Sequence, residues 1–245
     1  MKKRVLTGCI CMVAAMLWYS CRQEALSKLM LSMQQDVQKE AYLTFDDGPS
    51  VRTDEILDIL KKKRVKATFF VVGKEGRESQ NRYRRIVEEG HTLGLHSYSH
   101  DYEEIYQSVD AFAKDIKKLD QYVYQVTGVH SKYLRFPGGS SNSVAGDIKP
   151  YIQWVLEQDY QYYDWNALNE DAVDLSLSAE SLNYNILKDV HGQSPLIILM
   201  HDLAEAKGTV EALPKLIDEL KSRGYVLKGI SKETKQIHHV FIKEQ

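Results

Sequence analysis

Beyond position 21 the 245-residue chain contains no cysteine; all three, Cys9, Cys11 and Cys21, sit at its beginning. A catalytic thiol, a cysteine zinc site and an internal disulfide are therefore excluded for everything that follows. A surplus of positive charge is also lacking, since 32 Lys and Arg face 34 Asp and Glu for a formal net charge of -2. No global field exists to neutralise a phosphate backbone, and a nucleic-acid partner is disfavoured. There is neither an internal repeat of fixed period nor a low-complexity tract. With 43% hydrophobic residues and dispersed charges, the composition suits a folded core of good size and not a disordered tail.

A long apolar run occurs at the start. Lys2, Lys3 and Arg4 precede an uncharged stretch from Val5 to Cys21, the layout of an export signal. The stretch is short for a membrane span but within tolerance for a tilted helix, so residues 1–21 are expected to remain as a hydrophobic anchor helix with the N-terminus inside. Ser20-Cys21 also resembles part of a bacterial lipoprotein signal, which would place a lipid on Cys21; Trp18 and Tyr19 stand where small or aliphatic residues are usual and favour the anchor. Either way the expected partner is a membrane, with the bulk of the chain outside the cell. Residues 22–39, polar with scattered Leu and Met, read as a juxtamembrane stalk.

From residue 40 to 245 the pattern predicts one α/β domain. Short apolar or β-branched runs (Ala41 to Phe45, Ala67 to Val72, Leu134 to Phe136, Pro195 to Met200) alternate with longer amphipathic stretches, which implies βα units and a parallel sheet. Ile105, Val109, Phe112, Ile116, Leu119, Val123 and Val126 recur at helical spacing and predict one continuous helix ending at Gly128. Val210, Leu213, Leu216, Ile217 and Leu220 predict another, ending at Gly224, with Pro214 expected near its first turn. The Tyr-rich stretch from Tyr160 to Tyr163 reads as a strand, although its rings also suit stacking on sugars.

In a barrel of βα units, chemistry collects where strands end. The first run ends in Asp46, Asp47, Gly48 and Pro49, two carboxylates at a forced turn that is either an acidic helix cap or a site. His96 and His100 follow the run Thr92 to Leu95; four apart, they are expected on one face of a helical turn, as a pair of metal ligands or of surface histidines. Ser97 stands where a zinc protease needs a glutamate base, so that class is disfavoured. Arg135 ends a further run before Pro137, Gly138 and Gly139, and is able to clamp a carboxylate in bidentate fashion. That glycine loop lacks the ending of a phosphate-binding loop. His201 and Asp202 close the last run. His91, His130, His191, His238 and His239 have no matching partner and read as surface or packing groups. Adjacent Asp46 and Asp47 are too close to flank a glycosidic bond at the separation of at least about 5 Å used by glycosidases.

Thr44-Phe45-Asp46-Asp47-Gly48-Pro49, His96-Ser97-Tyr98-Ser99-His100, Arg135-Phe136-Pro137-Gly138 and Leu199-Met200-His201 together resemble, in order, four motifs of the polysaccharide deacetylase family, carbohydrate esterase family 4 or the NodB-homology domain. The resemblance spans roughly residues 40 to 229. It implies a distorted (β/α) barrel with fewer than eight regular strands, and metal-dependent hydrolysis of N-acetyl groups on an amino-sugar polymer. Peptidoglycan is the expected polymer given the membrane location, with chitin oligomers or poly-N-acetylglucosamine as alternatives. A catalytically silent carbohydrate-binding homologue is a further alternative, which the retention of both acid and base groups argues against. The implied roles are Asp47, His96 and His100 as ligands of a divalent metal, zinc by default and cobalt, manganese or nickel otherwise. Asp46 is the implied general base and Arg135 its orienting partner. Gly138 is the implied oxyanion donor, His201 the acid toward the leaving amine and Leu199 part of the acetyl pocket. The fifth family motif, an Asp-Trp pair, is matched in letters by Asp164-Trp165; spacing instead favours Asp171 as the residue tuning His201, with Trp165 at an earlier substrate-facing aromatic position and Ala172 in place of the usual pocket Trp. A monomer is expected.

Overall fold

The computed structural model describes residues 38–242 and, before them, the helical residues Tyr19, Arg22, Gln23 and Leu26. The apolar run expected as an anchor, Cys21 and most of the stalk lie outside the described residues. Among the described residues no helix is long and apolar enough to cross a membrane.

The elements are β1 (Lys39–Asp46), α1 (Arg52–Lys63), β2 (Thr68–Val72), α2 (Arg77–Glu88), β3 (Thr92–Ser97), α3 (Tyr102–Ile105), α4 (Val109–Thr127), β4 (Tyr133–Leu134), α5 (Lys149–Glu157), β5 (Gln161–Tyr162), β6 (Ala167–Leu168), α6 (Ala179–Leu187), β7 (Leu196–His201), α7 (Lys207–Ser222) and β8 (Tyr225–Leu227). The strands pair in parallel in the order β5-β4-β3-β2-β1-β7-β6, and β8 pairs the first residues of β1. Among the described residues β5 and β6 do not pair with each other, so the curled sheet is a half-barrel with an open seam. The expected barrel is thus corrected in one respect. Strands β4, β5 and β6 have two residues each, too few to carry a hydrogen-bonded ladder around a closed circuit.

Strand alternation sorts the side chains onto two faces. On β1, Ala41, Leu43 and Phe45 join Ile56, Leu57 and Leu60 of α1 and Leu213, Leu216 and Leu220 of α7 in the main core. Tyr42, Thr44 and Asp46 occupy the opposite, concave face. Leu196, Ile198 and Met200 of β7 likewise enter the main core, while Ile197 packs with Tyr42 and Tyr163 inside the curl. Burying side chains of this size contributes about 1.5–3 kcal/mol each, and that layer fixes where the strand ends fall.

Two helix expectations are corrected. The stripe starting at Ile105 is split: Ile105 ends the single turn α3, and Ser108, in extended backbone, caps α4 by accepting from Ala111 N–H at 3.1 Å. Ser108 has the short polar side chain of an N-cap, which interrupts the periodic run. Pro214 is not near the first turn but inside α7, since that helix begins at Lys207. The buried stripe of Val210, Leu213, Leu216, Ile217 and Leu220 outweighs the single backbone hydrogen bond that a proline cannot make.

Candidate metal and catalytic centre

The carboxyl ends of β1, β3 and β7 meet above the concave face. Asp46, the last residue of β1, stands opposite His201, the last of β7, in the sheet register. Asp47 leaves the strand in the left-handed region (φ 70), so the chain turns at Asp47 itself and the two carboxylates separate. His96 belongs to β3, whereas His100 lies in the following loop with φ 55. The expected helical turn for this pair is therefore incorrect. A strand end and a left-handed residue bring the two rings to 5.3 Å between centroids.

Asp115 of α4 builds that loop. Its carboxylate accepts from Ser97 Oγ at 2.7 Å, Tyr98 N at 2.7 Å and Ser99 N at 2.9 Å. On the β1 side, Asp202 has the same function. It accepts from Ser50 Oγ and Thr53 Oγ1, both at 2.6 Å, and its own N–H donates to Asp46 O at 2.8 Å. Burial raises the Asp202 carboxyl above its ordinary range, the hydroxyl bonds opposing only part of that effect. Gly48 is needed here because a Cβ would lie 2.3 Å from Asp202 Oδ2.

Asp47, His96 and His100 each present a donor atom, all within 4.8 Å of one another. Asp47 Oδ1 is 3.5 Å from His96 Nε2 and 3.1 Å from His100 Nε2, yet it is buried without a hydrogen-bond partner. An orphaned buried carboxylate oxygen facing two imidazole nitrogens fits a divalent cation. His96 Nδ1–H donates to Arg135 O at 2.7 Å, which leaves Nε2 as the lone-pair nitrogen toward the cluster. Burial lowers the His96 pKa and favours the neutral ring that a ligand must be. Burial alone would raise the Asp47 carboxyl, but His100, His96 and His201 together hold it below the usual carboxylate range.

Arg135 is fully buried just past β4. Its Nη1 donates to Asp46 Oδ1 at 2.9 Å and to Thr44 Oγ1 at 2.7 Å, and its Nε to Tyr163 O at 2.9 Å. The guanidinium stacks 4.3 Å above the Phe70 ring. The expected bidentate clamp is replaced by a single nitrogen shared between Asp46 and Thr44, because the other donors are used on backbone carbonyls. Buried charges demand such complete pairing, and removal of one partner costs about 3–5 kcal/mol.

His201 Nδ1 bonds Asp171 Oδ1 at 2.6 Å, and His201 N donates to Asp171 Oδ2 at 2.9 Å. Thr209 Oγ1 donates to the same Oδ2 at 2.6 Å. The residue beside His201 is thus Asp171, whereas Asp164 accepts from Ser140 N and His239 N instead. Burial would lower the His201 pKa, but the Asp171 bond and charge raise it. Leu199 is buried on the concave face of β7. Gly138 is exposed with φ 76, and its N–H has no hydrogen-bond partner among the described residues. Trp165 is half-buried against Gly139, and Ala172 is exposed in a turn that supplies no aromatic wall.

Residues 34–150 match the family profile of polysaccharide deacetylases. The protein YheN of Bacillus subtilis is 35% identical over 217 residues, covering 86% of this chain and 73% of that one. The chain belongs to the polysaccharide deacetylase family. A chitin deacetylase of Colletotrichum lindemuthianum is 33% identical over 189 residues, covering 75% of this deacetylase and 74% of the fungal protein. The crystal structure of the catalytic domain of a peptidoglycan N-acetylglucosamine deacetylase from Eubacterium rectale superposes with a TM-score of 0.78 at 33% identity, covering 84% and 94% of the two chains. The chain is an amide hydrolase of carbohydrate esterase family 4. In a polysaccharide deacetylase, the Asp47, His96 and His100 cluster is consistent with the family's metal site.

Asp115, Asp202 and Thr209 are functional supports that sequence reasoning did not find. Their partners lie 17, 152 and 38 residues away respectively, and a spacing pattern carries no signal of such pairings.

Proposed function

We propose that this deacetylase hydrolyses N-acetyl groups of peptidoglycan amino sugars from the outer side of the cell membrane, with zinc at Asp47, His96 and His100. One observation carries the chemistry: a buried pair, Asp46 with Arg135, and a half-buried one, His201 with Asp171, flank one cluster of metal-ligand type. When bound there, a divalent cation lowers the pKa of water and polarises the amide carbonyl. Asp46, oriented by Arg135 and Thr44, takes the proton of the attacking water. Gly138 N–H donates to the carbonyl oxygen as that atom gains charge, and Leu199 lines the space for the acetyl methyl. His201, whose protonated form the Asp171 carboxylate favours, gives its proton to the departing sugar amine. Two imidazoles and a carboxylate suit zinc, and cobalt, manganese or nickel accept the same donors.

Two features support the substrate and the location. The E. rectale domain of closely similar fold is named for peptidoglycan. The basic triplet and apolar run that open the sequence have the order of an export signal, so we assign residues 1–21 to an anchor, 22–39 to a stalk and 40–245 to the catalytic domain. The likeness to a chitin deacetylase favours a second reading, chitin oligomers as substrate. Acetate release measured in parallel on purified peptidoglycan and on chitin oligomers separates the two. Faster release from peptidoglycan supports the first, and equal or faster release from chitin oligomers selects the second.

A further inference from the structure

The C-terminal segment after β8 bonds to residues 162–165, which lead from β5 toward β6, and reaches the glycine loop that carries Gly138. Asp164 is the hub of that contact. It is completely buried, and its carboxylate accepts from Ser140 N at 2.8 Å, from Ser140 Oγ at 2.5 Å and from His239 N at 2.7 Å. Val240 N donates to Ser140 Oγ at 2.9 Å, so loop and segment are tied through one hydroxyl. On the backbone, Asp164 N donates to Ile237 O at 2.8 Å. His239 Nε2–H donates to Trp165 O at 2.8 Å, which leaves Nδ1 to accept from Ser141 Oγ at 3.2 Å. The ring of His238 stacks on Tyr162 at 3.7 Å.

The loop needs such a brace. Gly138 and Gly139 both have left-handed φ, 76 and 77, and consecutive glycines have the largest backbone freedom to lose. Trp165 closes the space above Gly139, since a Cβ there would lie 2.8 Å from the indole. Arg135 joins the same unit, because its Nη2 donates to Asp164 O at 3.3 Å. One residue thus connects three parts: its carboxylate bonds the backbone of the glycine loop and of His239, and its carbonyl oxygen accepts from Arg135, the residue that orients Asp46.

We propose that Asp164 is a positioning residue, clamped from behind by the 237–240 segment, that holds the Gly138 N–H in place for the amide oxygen. This rests on the amide-hydrolase reading of the site. It assigns a role to Asp164-Trp165 and to His239, none of which touches the metal-ligand cluster. An oxyanion donor acts only if it is aimed before the charge develops, and loss of one such donor costs roughly 10²–10³ in kcat.

The test uses the full-length chain and Asp164→Asn, with a chain ending at Gln236 as the second variant. Hydrogen exchange of the 136–142 peptide reads the brace directly, and acetate release with bound-metal content reads its consequence. Expected are faster exchange in both variants and a kcat loss of roughly 10- to 100-fold, with KM within about twofold and metal content unchanged. Unchanged exchange in Asp164→Asn, or an unchanged kcat beside faster exchange, overturns the proposal. So does a loss explained by KM or by metal content. Should Asp164→Asn fail to fold, the shortened chain decides by the same criteria. A wild-type chain that releases no acetate defeats the amide-hydrolase reading instead, and the exchange result still decides whether Asp164 holds the loop.

Discussion

Burial by itself pushes an imidazole toward its neutral form, yet His201 moves the other way because Asp171 bonds its Nδ1. The folded-state pKa is raised above the ordinary value of about 6.5, so the acid form persists to higher pH and activity that needs it declines only as pH rises through that raised value. Asp171→Asn removes the charge and leaves the burial. The alkaline limb of kcat/KM is then expected to move to lower pH, read from the pH profile of acetate release; a limb that stays in place refutes the pairing as a tuning device. At the neighbouring position, Asp46→Asn retains size and removes the base, with an expected loss of about 10²–10⁴ in kcat and little change in bound metal, measured side by side. Asp46 and His201 are legible in the sequence because each closes an apolar run. Spacing favours Asp171 over Asp164, and it is Asp171 that His201 bonds.

Among the elements, legibility followed length and burial. Strands β1, β2 and β7 are long apolar runs and were read within two residues of their ends, whereas β6 has only two residues and gave no periodicity to read. The His96 and His100 spacing suggested a helical turn because four residues suit one; a strand end followed by a left-handed residue satisfies the same spacing. The loop between them depends on Asp115 of α4, whose three accepted hydrogen bonds replace what a helix would have supplied. Asp115→Ala is expected to lower metal affinity by about 10- to 100-fold, the effect of losing support behind ligands, as measured by competition with a chelating dye. Gly48→Ala forces a methyl into Asp202 and is expected to destabilise the fold by about 1–3 kcal/mol, seen as an earlier urea midpoint. An unshifted midpoint contradicts the account of that turn.

For the whole molecule, the half-barrel explains why one end carries the chemistry. Parallel strands all deliver their carboxyl ends to the same rim, and the convex face is committed to helices α1 and α7 and the rest of the core. Closure is incomplete because the short strands leave a seam, and the segment after β8 bonds to residues 162–165 at the end of β5. That packing was invisible in the sequence, since His238 and His239 have no pattern that points to Tyr162 and Trp165 some 75 residues earlier. The most direct test of the central claim, metal-dependent amide hydrolysis at Asp47, His96 and His100, is a titration of the metal-stripped chain with zinc, following acetate release from an N-acetylglucosamine polymer against bound metal. Acetate release is expected to rise in proportion to bound metal and to saturate at one ion per chain, with His100→Ala shifting the curve to higher metal. Full acetate release from the stripped chain, or metal binding unaffected by His100→Ala, would contradict it.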